Sequence, residues 1–155
     1  MGKIVPEDLI PPAPVLSVDE ALKTFTIEKG FVIEPVAAEP LVDKPVALTF
    51  DPSGRMWVCE MRGYMPDIDG KLENRATGRI AILEDTNGDG KVDKRTTFLD
   101  KIVLPRAISL VSGGILYGDQ DNLYFVARDG DKPKGKAVVV DDKFAPGGNV
   151  EHKTN

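Results

Sequence analysis

The residues whose spacing most suggests chemistry lie in Asp85-Thr-Asn-Gly-Asp-Gly-Lys-Val-Asp93. Oxygen-bearing side chains stand at positions one, three, five and nine, with glycine at six. That pattern suits a hard cation such as calcium. Alternating carboxylates and an amide can wrap one centre, Gly90 permits the sharp turn, and the Lys91 carbonyl adds a ligand. The expected set is Asp85, Asn87, Asp89, Lys91 and Asp93. Thr96 stands at position twelve in place of the bidentate glutamate of a helix-flanked calcium loop. Asn, Asp and Gly also form tight hairpins without any metal, so a bare turn is the competing reading. A second copy, Asp129-Gly-Asp-Lys-Pro133, has proline where a ligand would stand and is expected to be empty.

His152 is the single histidine and the only side chain whose unperturbed pKa lies near neutrality. It is the default general base, with Glu151 beside it, and an exposed or structural histidine is the alternative. A third candidate is the long excursion from Glu60 to Thr77. Arg62, Tyr64 and Asp67 within it can hydrogen-bond sugar hydroxyls or an anionic cofactor, or can simply cap an adjacent sheet. Lys44 and Arg106 complete this candidate substrate or cofactor face. Arg106, after Pro105, either binds an anion or satisfies backbone carbonyls. The lone Cys59 has no intrachain partner and sits in an apolar strand, as a small buried hydrophobe would.

The elements that must position these residues are repeated. Gly78 to Asp85 runs through a polar turn into Lys94 to Asp100, and about 44 residues further on Asn122 to Asp129 runs through a polar turn into Lys136 to Asp142. Before each hairpin lies another matching pair: Ala47 to Phe50 with Met56 to Cys59, then Ala107 to Leu110 with Ile115 to Gly118. Four antiparallel strands, repeated, are the unit of a β-propeller blade. The expected fold is all-β: two four-stranded antiparallel blades of an incomplete, six-bladed propeller with one short helix near the amino terminus. The blades should cover about residues 46–100 and 106–142, with a third beginning at 149–155. Residues 1–16 are proline-rich and read as an extended arm. Ser17-Val-Asp-Glu20 is a capping box that predicts a short helix near 18–24. Phe31 to Val36, interrupted by Pro35, reads as an edge strand that closes another blade.

In an up-and-down blade, the connection into the innermost strand and the loop between the second and third strands emerge on one face. That face then collects Leu41 to Lys44, Glu60 to Thr77, Lys101 to Arg106, Asp119 to Asp121 and the segment after Lys143. The turns Asp51 to Gly54 and Asp85 to Asp93 emerge opposite, so a metal in the acidic loop would be structural rather than catalytic.

Composition narrows the partners. The 155 residues are 41% hydrophobic with a formal net charge of −5, and acidic and basic residues are interspersed. No continuous basic face for nucleic acid is expected. No apolar run reaches the roughly 18 residues that span a bilayer, and the proline-rich start lacks the apolar stretch of a signal peptide. Either the chain is cytoplasmic, or a signal has been removed and Met1-Gly2 is an added start.

Phe31 to Pro40, Phe50 to Pro66, Leu83 to Lys94 and Asn149 to Asn155 resemble the amino-terminal propeller of membrane-bound dehydrogenases of a haem-binding family. Those propellers are similar to soluble glucose and sorbosone dehydrogenases that use pyrroloquinoline quinone. The resemblance implies a periplasmic or extracellular oxidoreductase acting on sugars or related alcohols, with His152 taking the substrate hydroxyl proton and a cytochrome c module accepting electrons. Its Glu-His-Lys-Thr-Asn surroundings differ from the Asn-His-Gly-rich pattern of the sugar dehydrogenases. The Cys-x-x-Cys-His haem signature is absent from these residues, so haem would belong to another domain. Two rival functions are a noncatalytic calcium-stabilised propeller that binds glycans or proteins, and a hydrolase or lyase acting on glycosides. Two blades leave a ring open, so an inactive fragment that associates with itself or with the remaining blades is expected.

Overall fold

The computed structural model describes residues 14–67 and 69–144. The chain divides into two compact units, Met1–Pro35 and Val36–Asn155. The first contains helix α1, Val18–Leu22. Ser17 caps it: the Glu20 amide donates to Ser17 Oγ at 3.3 Å, and the Ser17 amide donates to Glu20 Oε2 at 2.8 Å. This reciprocal capping satisfies two otherwise orphaned amide donors, and the Glu20 carboxyl is held below its usual range by the Ser17 side-chain and backbone bonds. No residue of the helix is buried.

The second unit is all-β. Its first sheet runs in the order β1 (Pro45–Phe50), β2 (Met56–Glu60), β3 (Gly78–Glu84) and β4 (Lys94–Ile102), each antiparallel to its neighbour. The second sheet repeats the meander with β5 (Ala107–Val111), β6 (Gly114–Gly118) and β7 (Leu123–Asp129). Its fourth position is shared by β8 (Lys132–Pro133) and β9 (Val138–Asp141), both paired to β7. The two-residue strand β8 was not expected. The Lys134 amide still donates to the Ala127 carbonyl at 2.7 Å, Gly135 then turns the chain at a φ of 86°, and pairing with β7 resumes at Val138.

Alternation along the strands decides what lies between the sheets. Trp57, Cys59, Ile80, Ile82, Phe98 and Ile102 from the first sheet meet Ile115, Tyr117 and Val126 from the second in one core. Each fully buried aliphatic or aromatic side chain there contributes roughly 1.5–3 kcal/mol of transfer free energy. Trp57 meets the Phe98 ring edge at 4.9 Å, and the Arg128 guanidinium lies 5.6 Å above Trp57. Gly114 is required by this packing, since a Cβ there would stand 2.2 Å from the Val126 carbonyl oxygen.

The other face of the first sheet carries a smaller core of Val42, Val58, Ala81, Leu83 and Val92, against which Ala37, Leu41 and Met56 pack. The segment after Val36 therefore lies over this face. Residues 31–36 do not form the expected strand. The Val36 carbonyl accepts from the Val92 amide at 2.8 Å, but Phe31 and Val32 are exposed and no strand among the described residues pairs with them. An interrupted apolar run becomes a strand only with a ladder partner to satisfy its backbone, and Pro35 removes one donor.

Candidate functional site

The turns at one end of the sheets are tied together by charge. Asp51, buried in its turn, accepts from the Ser53 and Arg55 amides and from Arg55 Nε at 2.9 Å. Burial opposes its ionised form, yet the bonds from Arg55, Trp57 and Ser53 outweigh that and hold its carboxyl below the usual carboxylate range. The acidic turn before β4 adjoins this end: Lys94, which follows it, pairs with Glu84 at 2.8 Å. Within the turn, Asp85 accepts from the amides of Gly88 at 2.7 Å, Asp89 at 3.3 Å and Gly90 at 2.8 Å. The Gly90 amide contributes most to holding the Asp85 carboxyl below its usual range. Asp93 turns both oxygens to the Thr86 amide and hydroxyl, Asp89 Oδ1 accepts from the Lys91 amide, and Asn87 Nδ2 donates to Asp89 Oδ2. Among the described residues no three acidic, histidine or cysteine side chains converge as a metal cluster. The carboxylates of Asp85, Asp89 and Asp93 are instead taken up by groups within the turn.

At the opposite end, the connection from β2 to β3 folds back on the segment before β1. The Met61 amide donates to the Lys44 carbonyl at 3.0 Å. Lys44 and Met65 take positive φ values of 47° and 44°, an uncommon conformation for residues with a Cβ. Gly63 fits where a Cβ would stand 2.9 Å from Thr77 Oγ1. The result is a cavity of about 270 Å³ lined by Asp43, Lys44, Arg62, Gly63, Pro66, Leu72, Arg75 and Thr77.

Next to it lies a cavity of about 300 Å³ lined by Glu39, Pro40, Asp43, Arg62, Arg79 and Arg95. Asp43 and Arg62 border both, joined by an Arg62 Nε to Asp43 Oδ2 bond of 3.1 Å. Arg79 and Glu60 stand opposite one another in the β2–β3 register and form a buried ion pair. Glu60 Oε1 has no hydrogen-bond partner among the described residues. Arg95 Nη1 donates to the Pro40 carbonyl at 2.7 Å.

Of the expected face, Lys44 and Arg62 are brought to one cavity. Asp67 is occupied by its own loop, accepting from the amides of Asp69 at 2.9 Å and Lys71 at 3.2 Å. Tyr64 is half-buried in the same loop. Arg106 stands apart, at the connection into β5. Its amide donates to the Gly118 carbonyl at 2.8 Å, its side chain is buried, and its Nε and Nη2 have no hydrogen-bond partner among the described residues. Glu151 and His152 lie outside the described residues. Arg75, Arg79, Arg95, Asp43 and Glu60 are site residues that sequence reasoning missed. The Glu60–Arg79 pair was within reach of the strand register, whereas Arg95 meets the cavity only because β4 lies beside β3.

Cys59 is buried, its Sγ donates to the Ala107 carbonyl of the second sheet at 3.6 Å, and burial pushes the thiol up to about 12. It is packing, not a nucleophile.

No curated protein and no solved structure matches the chain. The profile of a domain of unknown function, DUF7133, matches residues 17–155. That span takes in both sheets and the loops that form the cavities, and the chain belongs to the DUF7133 domain family.

Proposed function

We propose that these two sheets are blades of a six-bladed, extracytoplasmic propeller oxidoreductase that acts on sugars or related alcohols with a quinone cofactor. The observation that carries the reading is the cavity of about 270 Å³ in which Lys44, Arg62 and Arg75 stand beside Thr77 and Asp43. Cationic side chains there suit the carboxylates of pyrroloquinoline quinone, and the hydroxyl and carboxylate groups suit a sugar. When bound, that quinone supplies the hydride acceptor. Lys44, Arg62 and Arg75 would hold and orient it, and His152, outside the described residues, would take the substrate hydroxyl proton as the resemblance implies. Haem and a cytochrome c module would belong to another domain.

The resemblance of Phe50 to Pro66 and Leu83 to Lys94 to the amino-terminal propeller of membrane-bound dehydrogenases, itself similar to sugar dehydrogenases, supports this reading over a noncatalytic glycan-binding propeller or a glycoside hydrolase. Equilibrium dialysis of pyrroloquinoline quinone against the chain tests it. Saturable binding that Lys44→Ala and Arg62→Ala each weaken about tenfold is expected, the loss of one charge-assisted contact. Absence of saturable binding, or equal binding by wild type and both variants, would remove the quinone from this cavity.

A further inference from the structure

Three guanidinium groups border the second cavity, and a protein acceptor holds each in place. Arg62 is held by Asp43 at 3.1 Å, Arg95 by the Pro40 carbonyl at 2.7 Å, and Arg79 by the buried Glu60. A guanidinium carries five N–H donors in a rigid fork. These contacts occupy one or two donors of each arginine, leaving most of the set free around about 300 Å³ of space. Arg79 is itself nine-tenths buried and cannot lose its proton, so its charge is a fixed feature of the cavity.

Taken together, the two adjoining cavities are cationic. Lys44, Arg62, Arg75, Arg79 and Arg95 line the two adjoining cavities, against Glu39, Asp43 and the Glu60 behind Arg79, a surplus of two positive charges. That surplus sits in a chain of formal net charge −5. Arginines serving only to neutralise local acids would need no such excess, and repulsion among them is relieved by an anion.

We infer that this cleft binds a doubly charged oxyanion group on a small molecule: a phosphate monoester or a dicarboxylate. Planar N–H forks match such groups bidentately, and two charges balance the surplus. The inference shares Lys44, Arg62 and Arg75 with the proposed quinone site, and Arg79 and Arg95, which border only the second cavity, are what test it apart from the quinone.

The test is calorimetric titration of the chain with inorganic phosphate, sulfate and malonate, with acetate as the monoanion control. Ionic strength is held constant, because screening alone changes the apparent affinity of any charged ligand. At least one dianion is expected to bind one to one and tighter than acetate, the tightest identifying the group. Arg95→Ala is expected to weaken that binding tenfold or more, the scale of one charge-assisted bond. Arg95 is exposed, so its removal leaves the core intact. Arg62→Lys keeps the charge, loses the fork and is expected to weaken binding as well. Equal binding of acetate and all three dianions, or unchanged dianion affinity in both variants, would overturn the inference.

Discussion

Arg55 Nη1 lies 2.8 Å from Asp131 Oδ2, while its Nε holds Asp51 Oδ2 at 2.9 Å. One guanidinium thus ties the β1–β2 turn of the first sheet to the β7–β8 turn of the second. Asp51 Oδ2 also accepts from the indole of Trp57 at 3.3 Å, which extends the link into the core between the sheets.

Removal of Arg55 should therefore cost more than the loss of an ordinary surface ion pair. The Asp51 side chain is 3% exposed and would keep its charge with fewer donors. Arg55→Ala is expected to lower stability by about 2 kcal/mol, while Asp131→Ala, which leaves the Asp51 contact intact, should cost only about 0.5 kcal/mol. Urea unfolding of both variants measures this. Equal losses would mean that the contact between turns matters more than the support of Asp51.

The same carboxylate sets an acid limb to stability. The fold holds the Asp51 carboxyl below the usual carboxylate range, so its contribution is full above the unfolded value and is lost as pH falls through the folded value. The stability gap between wild type and Asp51→Asn should be greatest near neutrality and narrow below about pH 4. A gap that stays constant on acidification would show that Asp51 acts through shape rather than charge.

How much of this was legible before folding follows from how local each signal is. The meanders could be read because Trp57-Val-Cys59 and Ile80-Ala-Ile82 alternate between two cores, and alternation is a property of neighbours along the chain. The capping box at Ser17 was legible for the same reason. Phe31 to Val36 misled because apolar residues signal a strand only where a ladder partner exists, and nothing within the segment supplies one. The arginine cavity was hidden because Arg62, Arg79 and Arg95 lie on three successive parts of the chain that only strand order brings together.

Asp85 and Asp89 separate two roles of the acidic turn. Asp85 gathers three backbone amides, so Asp85→Ala should lower the melting temperature even with no calcium added. For the proposed calcium site, millimolar calcium should raise the melting temperature of the wild type and leave Asp89→Ala unmoved, since a cation that binds the folded state shifts the equilibrium by mass action. Identical melting of wild type and Asp89→Ala across a calcium titration would reduce the loop to a turn wound on its own amides.

The last prediction concerns the two outer sheet faces. On the first sheet, Val46, Leu48 and Phe50 are exposed at 46%, 53% and 60%, beside an apolar cavity of about 210 Å³ lined by Val36, Ala37, Val42, Pro45, Leu48, Met56, Val58 and Leu83. On the second, the register aligns Leu116 with Phe125 and Phe125 with Val138, which is 61% exposed. Apolar surface of this kind on both outer faces is what neighbouring blades would cover. We propose that, without them, copies of the chain cover it for one another, a two-fold dimer being simpler to close than a ring of three. Sedimentation velocity over a hundredfold concentration range should show a concentration-dependent dimer, and Leu48→Lys should shift it toward monomer by placing a charge on the covered face. A monomer at every concentration, with unchanged β-sheet signal on dilution, would show that the outer faces are stable in water as they stand.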